Sequence, residues 1–265
     1  MVFAMQSTSA SAQPPIPNPR TSAESIPVNP SFWGLLDGLL RRRDDFFEEI
    51  FAARRIGERI RWYLVAIALL SGFYGLTMGG VGITEDTQRA LLQMVTSAVK
   101  VPLLYVCSVA ICFPVLYIVL VLMGARLSFM QTLSLILLAL TLNSVLLASC
   151  APILVFFMVT GSDYHFIKLL HVAAFAFSGA WAMVALWQGL RTMCEKSDLY
   201  PRQAIKILQV WMLIFGFVGT QMAWSLRPFV GSPELGYELL RSGRQGNFYQ
   251  AVWSSMVNLA RNLED

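Results

Sequence analysis

From Leu127 to Ser162 the chain carries no charged residue, and no other stretch constrains its fold as strongly. As one helix it would be about 54 Å long at ~1.5 Å per residue. A bilayer core is about 30 Å thick and takes ~20 apolar residues to cross. The run is too long for one upright span and barely long enough for two. A hairpin folding back near Asn143-Ser144 gives six spans, whereas one helix gives five. The choice decides on which side of a membrane the C-terminus lies.

Only 14% of the 265 residues are charged and 56% are hydrophobic, whereas a soluble domain is about 25% charged. The charges fall in short blocks between long apolar runs. This pattern predicts an all-α polytopic integral membrane bundle. A transmembrane barrel needs alternating segments of about ten residues, and runs such as Val115–Met123 do not alternate. Cys107, Cys112 and Cys150 lie inside apolar runs, where a thiol acts as a small hydrophobe. Cys194 has no CxxC partner. Neither a disulfide scaffold nor a metal site or cofactor is expected.

Residues 1–31 are rich in Ser, Ala and Pro, which cannot bury enough surface to offset the entropy of ordering. A disordered tail is expected there, with no cleavable signal, since a basic start followed by an apolar core is missing. At 32–61 Leu35, Leu36, Leu39 and Leu40, then Phe46, Phe47, Ile50 and Phe51, recur at helical spacing among charged residues. These amphipathic helices either lie on the membrane surface or pack against the bundle's own ends. Transmembrane helices are expected at about 62–83, 101–123, 130–158, 166–190 and 207–226. A polar connection is expected at Thr84–Lys100. In the first span, Gly75-x-x-x-Gly79 allows close helix approach, and packing within the chain is expected. In the tail at 227–265, Asn247 can cap an amphipathic helix at 247–262. Its apolar side is read as Phe248, Tyr249, Val252, Trp253, Met256 and Leu259. That helix is placed at the outer membrane interface, with Trp253 at headgroup depth and Arg261 toward water.

Charge placement favours five spans. Arg20, Arg41, Arg42, Arg43, Arg54, Arg55, Arg59 and Arg61 precede the first span, and Arg191, Lys196, Arg202 and Lys206 fall between the fourth and fifth. The positive-inside rule puts both basic segments on the cytoplasmic side. One helix over 127–162 achieves this and a hairpin does not. The N-terminus is then cytoplasmic and the tail lies opposite.

Candidates for chemistry are few. Asp163, His165, Lys168 and His171 form a polar stripe entering the fourth span, with His171 deepest. Ionisable groups at depth are costly and often functional, but a neutral histidine bonded to a neighbouring helix serves equally well. Asn143 and Gln221 are the other polar groups at depth, and each can bond across helices for about 1 kcal/mol. Arg227 marks the end of the fifth span. There is no HExxH, GxSxG or P-loop, and no acidic pair lies within a span. No catalytic residue is assigned.

Leu39-Leu40-Arg41-Arg42-Arg43-Asp44-Asp45-Phe46-Phe47-Glu48-Glu49 is similar to the apolar–basic stretch with paired Phe that precedes the first span in bacterial members of the Yip1-like family. Gly124-Ala125-Arg126-Leu127-Ser128-Phe129 resembles that family's turn before the third span, and Pro152 its late proline. The usual proline before the paired Phe is absent, and Ala125 replaces a second Gly of the turn. The resemblance covers roughly 36–225 and leaves out Trp224-Ser225-Leu226-Arg227-Pro228-Phe229 and the tail beyond. It implies a five-span protein of a bacterial inner (plasma) membrane. Eukaryotic relatives are non-enzymatic membrane-organising factors. That role is not carried over; the missing catalytic motifs and the amphipathic segments at both ends point instead to a non-enzymatic membrane scaffold or accessory subunit, with a small transporter or channel component as the alternative. Its partners would be membrane lipid and another membrane protein or a second copy of the chain, with no nucleic acid.

Overall fold

The computed structural model describes residues 32–41, 43–53, 55–81, 87–122, 128–161, 163–196, 202–230, 237–240 and 246–262. The stretch 1–31, the turn Gly124–Leu127, the loop 197–201, and the side chain of Cys194 lie outside what is described. In hydrocarbon no water can satisfy peptide groups, so each uncharged run closes its own hydrogen bonds as a helix. Eight α-helices and no strand occur among the described residues. They are α1 (Phe32–Arg41), α2 (Arg43–Phe51), α3 (Ile56–Gly79), α4 (Thr87–Leu122), α5 (Phe129–Val159), α6 (Tyr164–Lys196), α7 (Arg202–Ser225) and α8 (Phe248–Asn262). Four are long and apolar enough to cross a membrane, Ile56–Gly79, Thr87–Leu122, Phe129–Val159 and Tyr164–Gly189. The chain is an all-α polytopic bundle.

The run that opened the sequence question is one helix. Ser128 begins it with a capping box, its hydroxyl accepting from Gln131 N–H while the Gln131 side chain accepts from Ser128 N–H at 2.8 Å. α5 then continues through Asn143-Ser144 and past Pro152. Along it Thr141, Ser144 and Ser149 return their hydroxyls to carbonyls four residues back, so none calls for a turn.

α4 differs from the sequence reading. The connection expected at Thr84–Lys100 is helical from Thr87, and Pro102 lies inside a 36-residue helix. Proline removes one intrahelical donor and frees the carbonyl four residues back, here that of Ala98. That carbonyl lies against Gly72 of α3, 3.2 Å from where a Cβ would stand. A Cβ on Gly75 would run into the Ser97 carbonyl, and one on Gly79 into the Met94 backbone. The glycine face of α3 is therefore filled by α4 of the same chain.

α3 lies between α4 and α5, with α6 flanking α5 and α7 flanking α4. The Trp211 indole N–H of α7 donates to the Cys112 carbonyl of α4 at 3.0 Å. α1 buries Leu35, Gly38 and Leu39 against α3 and α5 and leaves Trp33 and Leu40 outside. α2 buries Phe46, Phe47 and Ile50. Phe47 occupies the room beside Gly189 that a side chain would fill. Arg59 lies 5.1 Å over the Phe46 ring and pairs with Glu49 at 2.6 Å. The Gln131 amide donates to the carbonyls of Ile50 at 3.2 Å and Phe51 at 2.9 Å. Carbonyls at a helix end have no partner within the helix, so Gln131 finishes α2.

α6 is the ruler for the two ends. Phe47 meets it at Gly189, and Asn262 of α8 meets it at Asp163. Those positions are about 39 Å apart at ~1.5 Å per residue. The α1–α2 pair and the C-terminal tail dock at opposite ends of the bundle.

Candidate functional site

The polar stripe entering α6 does not act as a unit. Asp163 Oδ1 accepts the N–H of His165 at 2.7 Å and of Phe166 at 3.3 Å, which makes it the cap of α6. Its Oδ2 accepts the Asn262 amide at 3.1 Å, tying α8 to the same cap. His165 is half-buried with its ring edge on Tyr164, and Lys168 is half-buried one turn further on. Only His171 reaches the interior, where it is 2% exposed.

His171 Nδ1 lies 3.0 Å from the Tyr74 hydroxyl of α3. The Tyr74 ring packs edge-on against His171 and against Phe175. Asn143, also buried, donates its amide to the Tyr105 hydroxyl of α4 at 3.0 Å. Tyr105 and Cys150 stand near Tyr74. One buried polar layer thus joins α3, α4, α5 and α6. His171 Nε2 and Asn143 Oδ1 have no partner in it. The layer can weld helices through paired side chains. Among the described residues no group of His, Cys, Asp and Glu is arranged to hold a metal ion.

Gln221 and Arg227 stand apart, at the end of α7 that leads into the tail. Gln221 is half-buried, and its carbonyl accepts the Ser225 hydroxyl at 3.0 Å. The Arg227 guanidinium stacks 3.5 Å over the Trp224 ring, a cation–π contact.

The sequence reading missed a second cluster. Lys100, 5% exposed, donates its ammonium to the Pro228 carbonyl at 2.9 Å and also to the Leu239 carbonyl. The Gln93 amide donates to the carbonyls of Pro228 at 3.0 Å and Phe229 at 3.2 Å. The Ser97 hydroxyl also donates to Phe229, and the Thr96 and Tyr237 hydroxyls are 2.7 Å apart. No carboxylate pairs with Lys100 among the described residues; its charge is met by carbonyl dipoles and, at 5.9 Å, by the Phe229 ring. Positions 93, 97 and 100 share one face of a helix, a signal that shows only once the segment is read as helical.

Comparison with known proteins adds one match. The Yip1 domain model matches residues 38–220. The matched stretch runs from the end of α1 into α7 and stops before the tail that Lys100 holds. No curated protein and no solved structure matches the chain.

Proposed function

The chain belongs to the Yip1 domain family, and from that premise we propose that this multi-pass membrane protein is a non-enzymatic scaffold or accessory subunit. The observation that carries the reading is the pairing inside the buried layer. Tyr74 with His171 and Asn143 with Tyr105 are joined to each other across helices, as groups that weld a bundle are. No Asp or Glu lies in the uncharged runs that would supply a proton carrier. Outside the bundle, α1 turns Trp33 and Leu40 away from the chain and α8 turns Trp253 and Met256 away, which suits surfaces that meet lipid or another membrane protein.

The five-span arrangement of α3 to α7 is part of this proposal. The fifth span is the uncharged run 207–226. By the positive-inside rule the N-terminus is cytoplasmic in a bacterial inner membrane.

A small transporter or channel component is the second reading, and the unpartnered Nε2 of His171 and Oδ1 of Asn143 favour it. Reconstitution separates the two. Liposomes holding the purified full-length chain should pass protons, potassium and chloride no faster than empty ones. Flux that His171→Leu or Asn143→Leu abolishes, in variants that stay monodisperse, overturns the scaffold reading.

A further inference from the structure

α8 has three faces. Phe248, Val252, Ser255 and Leu259 turn toward the bundle, with Ser255 fully buried. Tyr249, Trp253, Met256 and Ala260, at the same helical spacing about a third of a turn away, are exposed. Gln250, Ser254 and Arg261, with half-buried Val257 between them, form the third, mostly exposed and polar. The sequence groups Val252 with Trp253 on one apolar side; the structure half-buries Val252 and leaves Trp253 exposed. A helix with one protein face needs no second apolar face in water, and Trp253, Met256 and the open half of Tyr249 there call for an occupant.

The place of α8 along the bundle says which. The Tyr249 ring stacks on Phe217 of α7 at 6.4 Å, and its hydroxyl lies 3.3 Å from that of Thr220. Phe217 precedes the end of α7 by eight residues, about 12 Å at ~1.5 Å per residue. At its other end α8 reaches the first residue before α6 through Asn262 and Asp163. The helix therefore runs from the side wall of the bundle up to its mouth. Its exposed apolar face continues the exposed face of α7, formed by Val210, Leu213, Ile214 and Phe217. With α7 as the fifth span proposed above, on which this inference rests, that surface meets lipid.

We propose that the Tyr249–Trp253–Met256 face of α8 is a lipid-binding surface, set edge-on in the membrane boundary. The bundle holds its inner face, acyl chains and headgroups cover the apolar outer face, and water reaches Gln250, Ser254 and Arg261. Tyr and Trp suit that depth because each pairs an apolar ring with a polar tip.

Neighbouring spin labels test this. In a full-length chain with its four cysteines replaced, single cysteines at Trp253 and Ser254 sit at nearly the same height on different faces. The labelled proteins are reconstituted into phosphatidylcholine liposomes with no other protein. The ratio of oxygen to nickel-chelate collision should be several-fold higher at 253 than at 254, with Met256→Cys repeating the 253 result if Trp253→Cys fails to fold. Equal, nickel-dominated ratios at both sites mean that the outer face stands in water and overturn the proposal. A label at 253 or 256 shielded from both relaxers means that a second copy covers it, which also overturns it. Flux and partner binding play no part in this readout.

Discussion

The Lys100 ammonium donates to the Pro228 carbonyl at 2.9 Å, so a side chain of α4 holds the chain where it leaves α7. A hydrogen bond to a charged group contributes about 1.5–3 kcal/mol, and removing Lys100 takes that charged donor from the Pro228 and Leu239 carbonyls, leaving Pro228 with Gln93 alone. Lys100→Met should lower stability by about 1–3 kcal/mol and loosen the tail. Proteinase K digestion in detergent should cut after residue 227 faster than in the wild type while the bundle persists. Gln93→Leu should act in the same direction. Unchanged tail protection in both variants means that the latch holds nothing.

The α3–α4 contact makes a sharper contrast. Alanine at Gly75 or Gly79 drives a methyl into α4 backbone, which cannot move aside as a flexible side chain can. Overpacking of this kind costs about 1–3 kcal/mol. Alanine at Gly179, where nothing lies within 4 Å of the new methyl, should be tolerated. Thermal unfolding in mild detergent reads both, and equal stability of Gly75→Ala and Gly179→Ala contradicts the packing.

Tyr74 and His171 predict a graded series. Gln at 171 can keep a hydrogen bond to the Tyr74 hydroxyl, so His171→Gln should be close to wild type. His171→Leu leaves that hydroxyl buried without a partner and should cost about 1–3 kcal/mol. Tyr74→Phe in the His171→Leu background should recover part of the loss, because both ends of the pair are then apolar. A double-mutant cycle with no interaction term would show that the pair is not a weld.

What could be read from the sequence follows physical period. The uncharged run at 127–162 left one span or two open, the placement of Arg and Lys favoured one helix, and α5 is one helix. Gly75 and Gly79 announced a close helix neighbour, and α4 fills that place. The Lys100 cluster was hidden because Pro102 reads as a helix start, although proline removes only one donor and α4 passes through it. Even with Gln93, Ser97 and Lys100 placed on a face, their partners are backbone carbonyls of Pro228, Phe229 and Leu239, which leave no mark in side-chain pattern. Asp163 and His171 belong to one polar stripe in sequence; one caps α6 and the other, about 12 Å further along the helix, is buried. The three-faced nature of α8 depended on which side met the bundle, and amphipathic period alone makes only two.

Opposite docking of α1–α2 and α8 makes the topology testable. Reporter domains fused before Phe32 and after Asp265 should report opposite compartments, with the N-terminal fusion cytoplasmic. Reporters on the same side would contradict five spans.

The scaffold reading stands or falls most directly on what the intact chain carries out of its membrane. Native mass spectrometry of the full-length protein, extracted in mild detergent with its lipids, gives the composition of the particle. A fixed stoichiometry with another membrane protein or with a second copy, together with liposomes that stay tight, is the predicted result. A single-chain particle with no partner that by itself moves ions across liposomes would contradict it.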